Sequence, residues 1–179
     1  MLDITLSGGT VVTPSGARVM DVHITDGVIA AVTLPGAEGF EAVQNIDTTG
    51  MIVVPGGVES HAHIGGPRQP ERSGAEPVSK AAIFGGTTTV LDFATQVPGH
   101  DLLHAVDEAA ERWKGQGYTD YAYHPIFGHR ASETDINQIP ELVQSGIPSF
   151  KIFTTSIRPP SPQMEDRQTW NRWLPMEPS

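Results

Sequence analysis

Cysteine is absent from the 179 residues, which excludes a disulfide framework, a thiolate metal site and a cysteine nucleophile. No apolar run approaches the ~20 residues that a membrane-spanning helix needs. The N-terminal stretch MLDITLSGG has neither the basic start nor the long apolar segment of a signal peptide. The formal net charge is −10, and the sequence has no basic patch suited to nucleic-acid phosphates. These absences predict a cytoplasmic protein that binds neither membranes nor nucleic acids.

Short β-strands are predicted for the first fifty residues, where apolar residues alternate or run briefly between glycines. Asp26-Gly27, between VHIT and VIAAV, is the two-residue signal of a β-hairpin, because a type I′ turn needs positive φ at both central positions. No helical period occurs in this segment. We therefore predict a small β domain over residues 1–54.

The pattern changes at Met51. The run MIVVPGG has no polar alternation, which predicts a strand buried on both faces, as in parallel sheets. Helices are then predicted in AEPVSKAAIFGG, HDLLHAVDEAAERWKGQG and INQIPELVQSG, and further strands in TTTVLDFAT, TDYAYHPIF and IPSFKIFTT. This alternation of strands and helices predicts an α/β protein with a parallel sheet.

Open doubly wound sheets and closed (β/α)₈ barrels both begin with this order of elements. A closed barrel needs ~250 residues, and only about four β/α units fit before the pattern stops after Thr155. The remaining stretch contains five prolines and no clean period of 2 or 3.6 residues. We therefore expect residues 55–155 to form an incomplete (β/α)₈ barrel, followed by an atypical tail over residues 156–179.

His61 and His63 follow the predicted first barrel strand. Side chains at i and i+2 of a strand point to the same side, and (β/α)₈ proteins carry their chemistry at the carboxyl ends of their strands. Two adjacent imidazoles are good ligands for Zn²⁺ and similar ions. The alternative is a chance pair on a solvated strand end, because so short a motif often occurs without function.

Lys151 lies among apolar residues in SFKIF. Burial of an ammonium group favours the neutral amine, which can react with CO₂ to give a carbamate with two oxygen donors. Such a group can bridge two metal ions. The alternative is a lysine that extends to solvent from a strand end or pairs with an acid.

Taken in order, PGGVESHAHI, GGTTTVLDF and SFKIF after a β-rich leader resemble the cyclic amidohydrolases of the dihydropyrimidinase and hydantoinase type. The resemblance covers roughly residues 3–155. It implies a (β/α)₈ barrel, a small β-sandwich built from both ends of the chain, and a binuclear centre of divalent metal, with Zn²⁺ as the expected ion. It further implies that His61 and His63 bind one metal, and that Lys151, carbamylated by CO₂, bridges both.

The resemblance also implies a small cyclic amide as substrate, hydrolysis of its carbon–nitrogen bond, and assembly as a homo-oligomer. Hydantoinases have a substrate-contacting tyrosine five residues after the bridging lysine; this chain has Ser156 there, which is therefore the candidate substrate-binding residue. That difference leaves open an allantoinase- or dihydroorotase-like activity. A non-catalytic assembly protein of the same fold is a further alternative, against which the retained histidines and lysine argue.

The family takes two more histidines and a catalytic aspartate from later barrel strands. The expected aspartate therefore lies beyond the last residue, and we expect the 179-residue chain to be a truncated form that is inactive alone. Within the chain, His124 is the next candidate for the site because it ends the third predicted strand. The histidines interpreted as surface or loop residues are His23, His100, His104, His124 and His129.

Overall fold

The computed structural model describes residues 1–65, 72–97, 99–127 and 132–153. The chain separates into two compact units, Met1–Pro55 and Gly56–Ser179. Each unit contains its own sheet. Along the described ranges, no helix combines the length and the apolar character required to cross a membrane.

The first unit is a five-stranded sheet. The strands are β1 (Leu2–Thr13), β2 (Gly16–Thr25), β3 (Val28–Thr33), β4 (Ala42–Asp47) and β5 (Ile52–Val53). The main path of the sheet runs β3-β2-β1-β4, and β5 pairs with β1 further along that strand. The β1–β2 and β2–β3 pairs are antiparallel, whereas β4 and β5 run parallel to β1.

The predicted hairpin is confirmed. Asp26 and Gly27 have φ values of 50° and 74°, as the two central positions of a type I′ turn require. Thr25 pairs with Val28 directly across the turn, so two residues connect β2 and β3.

His23 is a core residue, and its interpretation as a surface histidine is wrong. Only 2% of it is exposed. Its Nδ1 lies 2.9 Å from Thr5 Oγ1 and its Nε2 lies 2.9 Å from Thr33 Oγ1. The ring also stacks on Phe40 at 4.3 Å between centroids. Burial is tolerated here because hydroxyl groups satisfy both ring nitrogens.

The assignment of MIVVPGG as one doubly buried barrel strand is also wrong. Ile52 and Val53 pair with β1 of the first unit. Pro55 has no N–H to donate to a neighbouring strand. A new strand, in the second unit, begins only at Gly57. Several large side chains of the first unit, which we call its exposed apolar set, are more than half exposed: Val19, Val28, Ile29, Leu34, Val43, Met51, Ile52 and Val54.

The second unit contains three parallel strands, β6 (Gly57–Ala62), β7 (Thr87–Thr95) and β8 (Asp120–Ile126), with helices between them. They lie in the order β6-β7-β8. This α/β alternation agrees with the predicted order, whereas the described residues form an open sheet and no closed barrel. The helices are α1 (Ala75–Phe84), α2 (Leu102–Trp113), α3 (Glu133–Asn137) and α4 (Ile139–Gln144).

Helices α1 and α2 match the sequence-based prediction. Helix α1 ends at Phe84 with Gly85 as its C-cap, and Gly86 follows with φ 84°. Helix α2 begins after Asp101, whose carboxylate accepts a hydrogen bond from His104 N at 2.9 Å. The apolar face of α2 packs on the sheet, and its fully buried residues are Leu102, Ala105, Ala109 and Trp113.

The third predicted helix is two helices. Helix α3 begins earlier than expected, because Ser132 and Asp135 form a reciprocal capping box. The helices meet at Gln138, and Pro140 lies in the first turn of α4, where its missing N–H is tolerated.

The fourth predicted strand is reduced to one bridge within the described residues. Lys151 pairs with Ile126 in parallel. Lys151 N donates to Pro125 O at 2.9 Å, and Phe127 N donates to Lys151 O at 3.0 Å. These two bonds lie at the carboxyl end of β8 and bring Lys151 beside it.

Candidate functional site

The two histidines of the HxH motif lie side by side at the carboxyl end of β6. The β6–β7 register is irregular between Glu59 and Ala62. At this irregularity, His61 N donates to the Glu59 carboxylate at 2.8 Å. The His61 and His63 rings are 5.4 Å apart between centroids, while Ala62 packs against the core of the second unit. The sequence thus places both imidazoles on one side of the strand.

Phe93 of β7 forms the floor beneath the histidines. It is only 5% exposed. His63 stacks on its ring at 4.4 Å between centroids and 28° between planes. His61 meets the same ring edge-on at 4.8 Å and 69°. One buried aromatic ring therefore fixes the orientation of two exposed imidazoles.

Lys151 completes the cluster. Its Nζ lies 3.1 Å from His63 Nε2, although the two residues are 88 positions apart in the chain. The same Nζ lies 3.9 Å from the centroid of Phe93. The structure therefore brings together the three residues that the sequence analysis proposed as metal ligands, His61, His63 and Lys151.

Burial lowers the pKa of Lys151 below the ordinary lysine value. The pKa of His63 is lowered as well, first by burial and then by the charges of Lys151, Arg72 and His61, while Asp92 acts in the opposite direction. Both shifts favour the uncharged nitrogen. An uncharged imidazole can bind a metal, and an uncharged amine can react with CO₂.

Asp92 is a site residue that the sequence analysis missed. It is fully buried in β7 beside Phe93. Its Oδ1 accepts from Phe93 N at 2.7 Å and from Ile64 N at 3.2 Å; Ile64 directly follows His63. Its Oδ2 accepts from the Trp113 indole at 3.0 Å. The available signal in the sequence was an acidic residue inside the apolar run VLDFA. A carboxylate in a buried strand needs hydrogen-bond partners, so its presence there indicates a specific role.

His124, half-buried on β8, lies next to the cluster. Its Nδ1 is 2.7 Å from Ser149 Oγ, its Nε2 is 3.1 Å from Ser60 O, and its ring centroid is 5.5 Å from that of Phe93. It is thus near the site, as predicted, and its interpretation as a surface or loop residue is wrong.

The other candidates lie elsewhere. His100 and His104 stack on each other at 3.9 Å and are exposed at the start of α2, as expected of surface residues. His129 and Ser156 fall outside the described residues.

The donor set suits a divalent metal of intermediate softness. His61 makes no ring-nitrogen hydrogen bond to any described residue, and the only such bond of His63 is to the Lys151 amine. In the ranges covered, no three histidine, cysteine or acidic side chains form a metal-binding group. Lys151, whose Nζ lies beside His63, would offer oxygen donors to a metal if it were carbamylated.

The three-stranded parallel sheet with its intervening helices belongs to a hydantoinase-like α/β fold. A crystal structure of a D-hydantoinase superposes with a TM-score of 0.78 and 29% identity over 88% of this chain and 34% of that chain.

Sequence comparison agrees with the fold. No family model matches the chain. The D-hydantoinase of Streptomyces coelicolor is 38% identical over 155 residues, which is 83% of this chain and 32% of that protein. An allantoinase of Escherichia coli is 32% identical over 159 residues, covering 86% of this chain and 33% of that protein. The resemblance to cyclic amidohydrolases is confirmed, and the chain spans about one third of the length of these relatives.

Proposed function

We propose that this chain contributes His61, His63 and Lys151 to the metal centre of a hydantoinase- or dihydropyrimidinase-like hydrolase of small cyclic amides. The observation that carries the proposal is the convergence of these three side chains on Phe93. Lys151 is 88 positions from His63 in the chain, yet its amine meets the two imidazoles at the carboxyl edge of a parallel sheet. That edge is where (β/α)₈ enzymes hold their substrates.

In this proposal, His61 and His63 hold a divalent ion through ring nitrogens, and Zn²⁺ is the expected ion. A bound metal of this kind supplies Lewis-acid polarisation of a carbonyl group and an activated water at neutral pH. The chain's own contribution is positional. Phe93 orients both rings, and Asp92 holds the backbone of Ile64 immediately after the motif.

Lys151 enters the centre as a carbamate. The neutral amine nitrogen attacks the carbon of CO₂, a nitrogen–carbon bond forms, and the nitrogen loses a proton to solvent. The product is an anion with two oxygen donors in place of a cation. Its formation is supported by the pKa of Lys151, which burial lowers. A carbamate anion would also offset the positive charges that act on His63.

No residue of this chain is assigned the proton-transfer role that the resemblance gives to an aspartate. We therefore propose that the 179-residue chain binds metal but does not turn over substrate on its own. Homo-oligomer formation and a cytoplasmic location remain predictions.

The second candidate is an allantoinase-like activity. It is favoured by the similarity to the E. coli allantoinase and by Ser156 in the position where a hydantoinase-type site has tyrosine. A dihydroorotase-like activity is supported only by Ser156. A purely structural assembly role is less well supported, because it gives no reason for His61, His63 and Lys151 to converge.

The test is a Zn²⁺ titration of the purified chain in bicarbonate buffer, with turnover of hydantoin, dihydrouracil and allantoin assayed in parallel. We expect weak binding of fewer than two equivalents and no turnover. His63→Ala should abolish the binding, whereas His104→Ala, at an exposed histidine on α2, should leave it unchanged. Zn²⁺ binding that survives both His61→Ala and His63→Ala would overturn the proposal.

A further inference from the structure

His124 joins the two stretches of chain that carry the candidate ligands. Its Nε2 lies 3.1 Å from the carbonyl oxygen of Ser60, the residue before His61. Its Nδ1 lies 2.7 Å from the hydroxyl of Ser149, two residues before Lys151. The imidazole of His124 therefore links the end of β6, which carries His61, to the segment that carries Lys151.

The hydrogen-bond partners define the protonation of the ring. A carbonyl oxygen can only accept, so His124 Nε2 must carry the proton that it donates to Ser60 O. In the neutral ring, Nδ1 then accepts from the Ser149 hydroxyl. Both ring nitrogens are thus engaged, which argues against His124 as an additional metal ligand.

Both stretches tied by His124 are weakly held by the sheet itself. The β6–β7 ladder is irregular between Glu59 and Ala62, directly where the carbonyl of Ser60 lies. On the other side, Lys151 is attached to β8 by a single parallel bridge. Regular strand pairing therefore fixes neither stretch completely. The two hydrogen bonds of the His124 ring, one to the backbone of Ser60 and one to the side chain of Ser149, add further restraint.

We propose that His124 is a positioning residue that sets the separation between the HxH pair and Lys151 by holding Ser60 and Ser149 on one ring. The inference rests on the proposed metal centre, because positioning matters only if these groups act together. It assigns His124 a role through its neighbours and not through contact with metal or substrate.

Three substitutions of His124 test the contribution of each hydrogen bond separately. His124→Gln places an amide N–H near the position of Nε2 and retains the hydrogen bond to the carbonyl oxygen of Ser60. His124→Asn places an acceptor near the position of Nδ1 and retains the bond to Ser149. His124→Phe keeps a planar ring and removes both bonds. His104→Phe is the matched control, because His104 is exposed and stacks on His100.

The first measurement is the affinity of the full chain for Zn²⁺ in bicarbonate buffer. Loss of an outer partner of a metal site typically weakens binding 10- to 100-fold, and we expect about tenfold for His124→Phe. The Gln and Asn variants should each recover part of that loss. The control should bind like the wild type. Equal affinity of the wild type and His124→Phe would overturn the inference while leaving the proposed metal centre intact.

The second measurement needs no metal. Nitrogen chemical shifts of the His61 and His63 rings, recorded well below the melting temperature, report their surroundings directly. We expect His124→Phe to move both sets of shifts and His124→Gln to restore those of His61. A change in stability alone would lower the melting temperature without moving the shifts, and that result would overturn the inference.

The two measurements distinguish the two proposals. If the wild type binds no Zn²⁺, the proposed function fails, and the ring shifts alone decide whether His124 positions the histidines. If His124→Phe does not fold, Ser149→Ala replaces it, because this change removes one hydrogen bond and little volume. Ser149→Ala should move the His63 shifts, and unchanged shifts would overturn the inference.

Discussion

Replacement of Asp92 by asparagine tests whether the buried carboxylate holds the second unit together. Asp92 accepts three hydrogen bonds of 2.7, 3.0 and 3.2 Å and lies 3.5 Å from the guanidinium of Arg112. In Asp92→Asn, the remaining oxygen can still serve the amides of Ile64 and Phe93. The new amide group then faces the Trp113 indole, so that two donors oppose each other inside the core.

The cost follows from these contacts. A buried donor left without an acceptor costs about 1–3 kcal/mol. The weakened pair with Arg112, whose side chain is 25% exposed, adds only about 0.5–1 kcal/mol. We therefore expect Asp92→Asn to lower the free energy of unfolding by roughly 2–4 kcal/mol, and Asp92→Ala to lower it at least as much.

The assay is urea denaturation followed by helical circular dichroism. All four described helices belong to the second unit, so this signal reports the unit that contains Asp92. Trp113→Phe provides the second arm of a double-mutant cycle, because it removes the opposing donor. Asp92→Asn should cost about 1 kcal/mol less in that background than in the wild type. A cost below about 0.5 kcal/mol, or an equal cost in both backgrounds, would refute the reasoning.

Three further predictions concern other parts of the chain. Burial lowers the pKa of Lys151, whereas a hydrogen bond to Glu111 raises the pKa of Lys114. Acylation of Lys151, followed by peptide mapping, should therefore reach half its maximal rate at a lower pH than acylation of Lys114. The reverse order would contradict these pKa shifts. Gly56→Ala should destabilise by about 1–3 kcal/mol, because its Cβ would lie 2.7 Å from Thr88 Cβ. The control Gly85→Ala, with its nearest contact at 3.4 Å, should melt close to the wild type, and equal melting of both variants would refute this. The exposed apolar set of the first unit predicts concentration-dependent self-association, and sedimentation of a single monomeric species at all concentrations would contradict it.

The features that sequence reasoning predicted correctly are those specified by local chemistry. Asp26-Gly27 dictates its turn through backbone sterics alone, and helices α1 and α2 are bounded by glycines or a capping aspartate. The placement of His61 and His63 on one side follows from the geometry of any strand. These features need no knowledge of distant residues.

The features that were missed depend on contacts distant in sequence. MIVV looks like a buried strand, but its partner is β1, some forty residues earlier along the chain, and Pro55 separates it from β6. His23 is buried because Thr5 and Thr33 supply hydroxyl groups from neighbouring strands. The role of Asp92 likewise requires Trp113, which arrives from α2. No periodicity in the sequence identifies such partners.

In the proposed metal centre, the aromatic floor formed by Phe93 would have a consequence for ion selectivity. A benzene ring is rigid, and here it is buried in the middle strand of the sheet, so it restrains the side chains that stack on it. Part of the conformational entropy of these side chains would then be lost during folding and not during binding. A site preorganised in this way would favour ions of one radius over larger or smaller ones, whereas a flexible cluster adapts to many. Discrimination between metals would thus depend on a residue that never touches the metal.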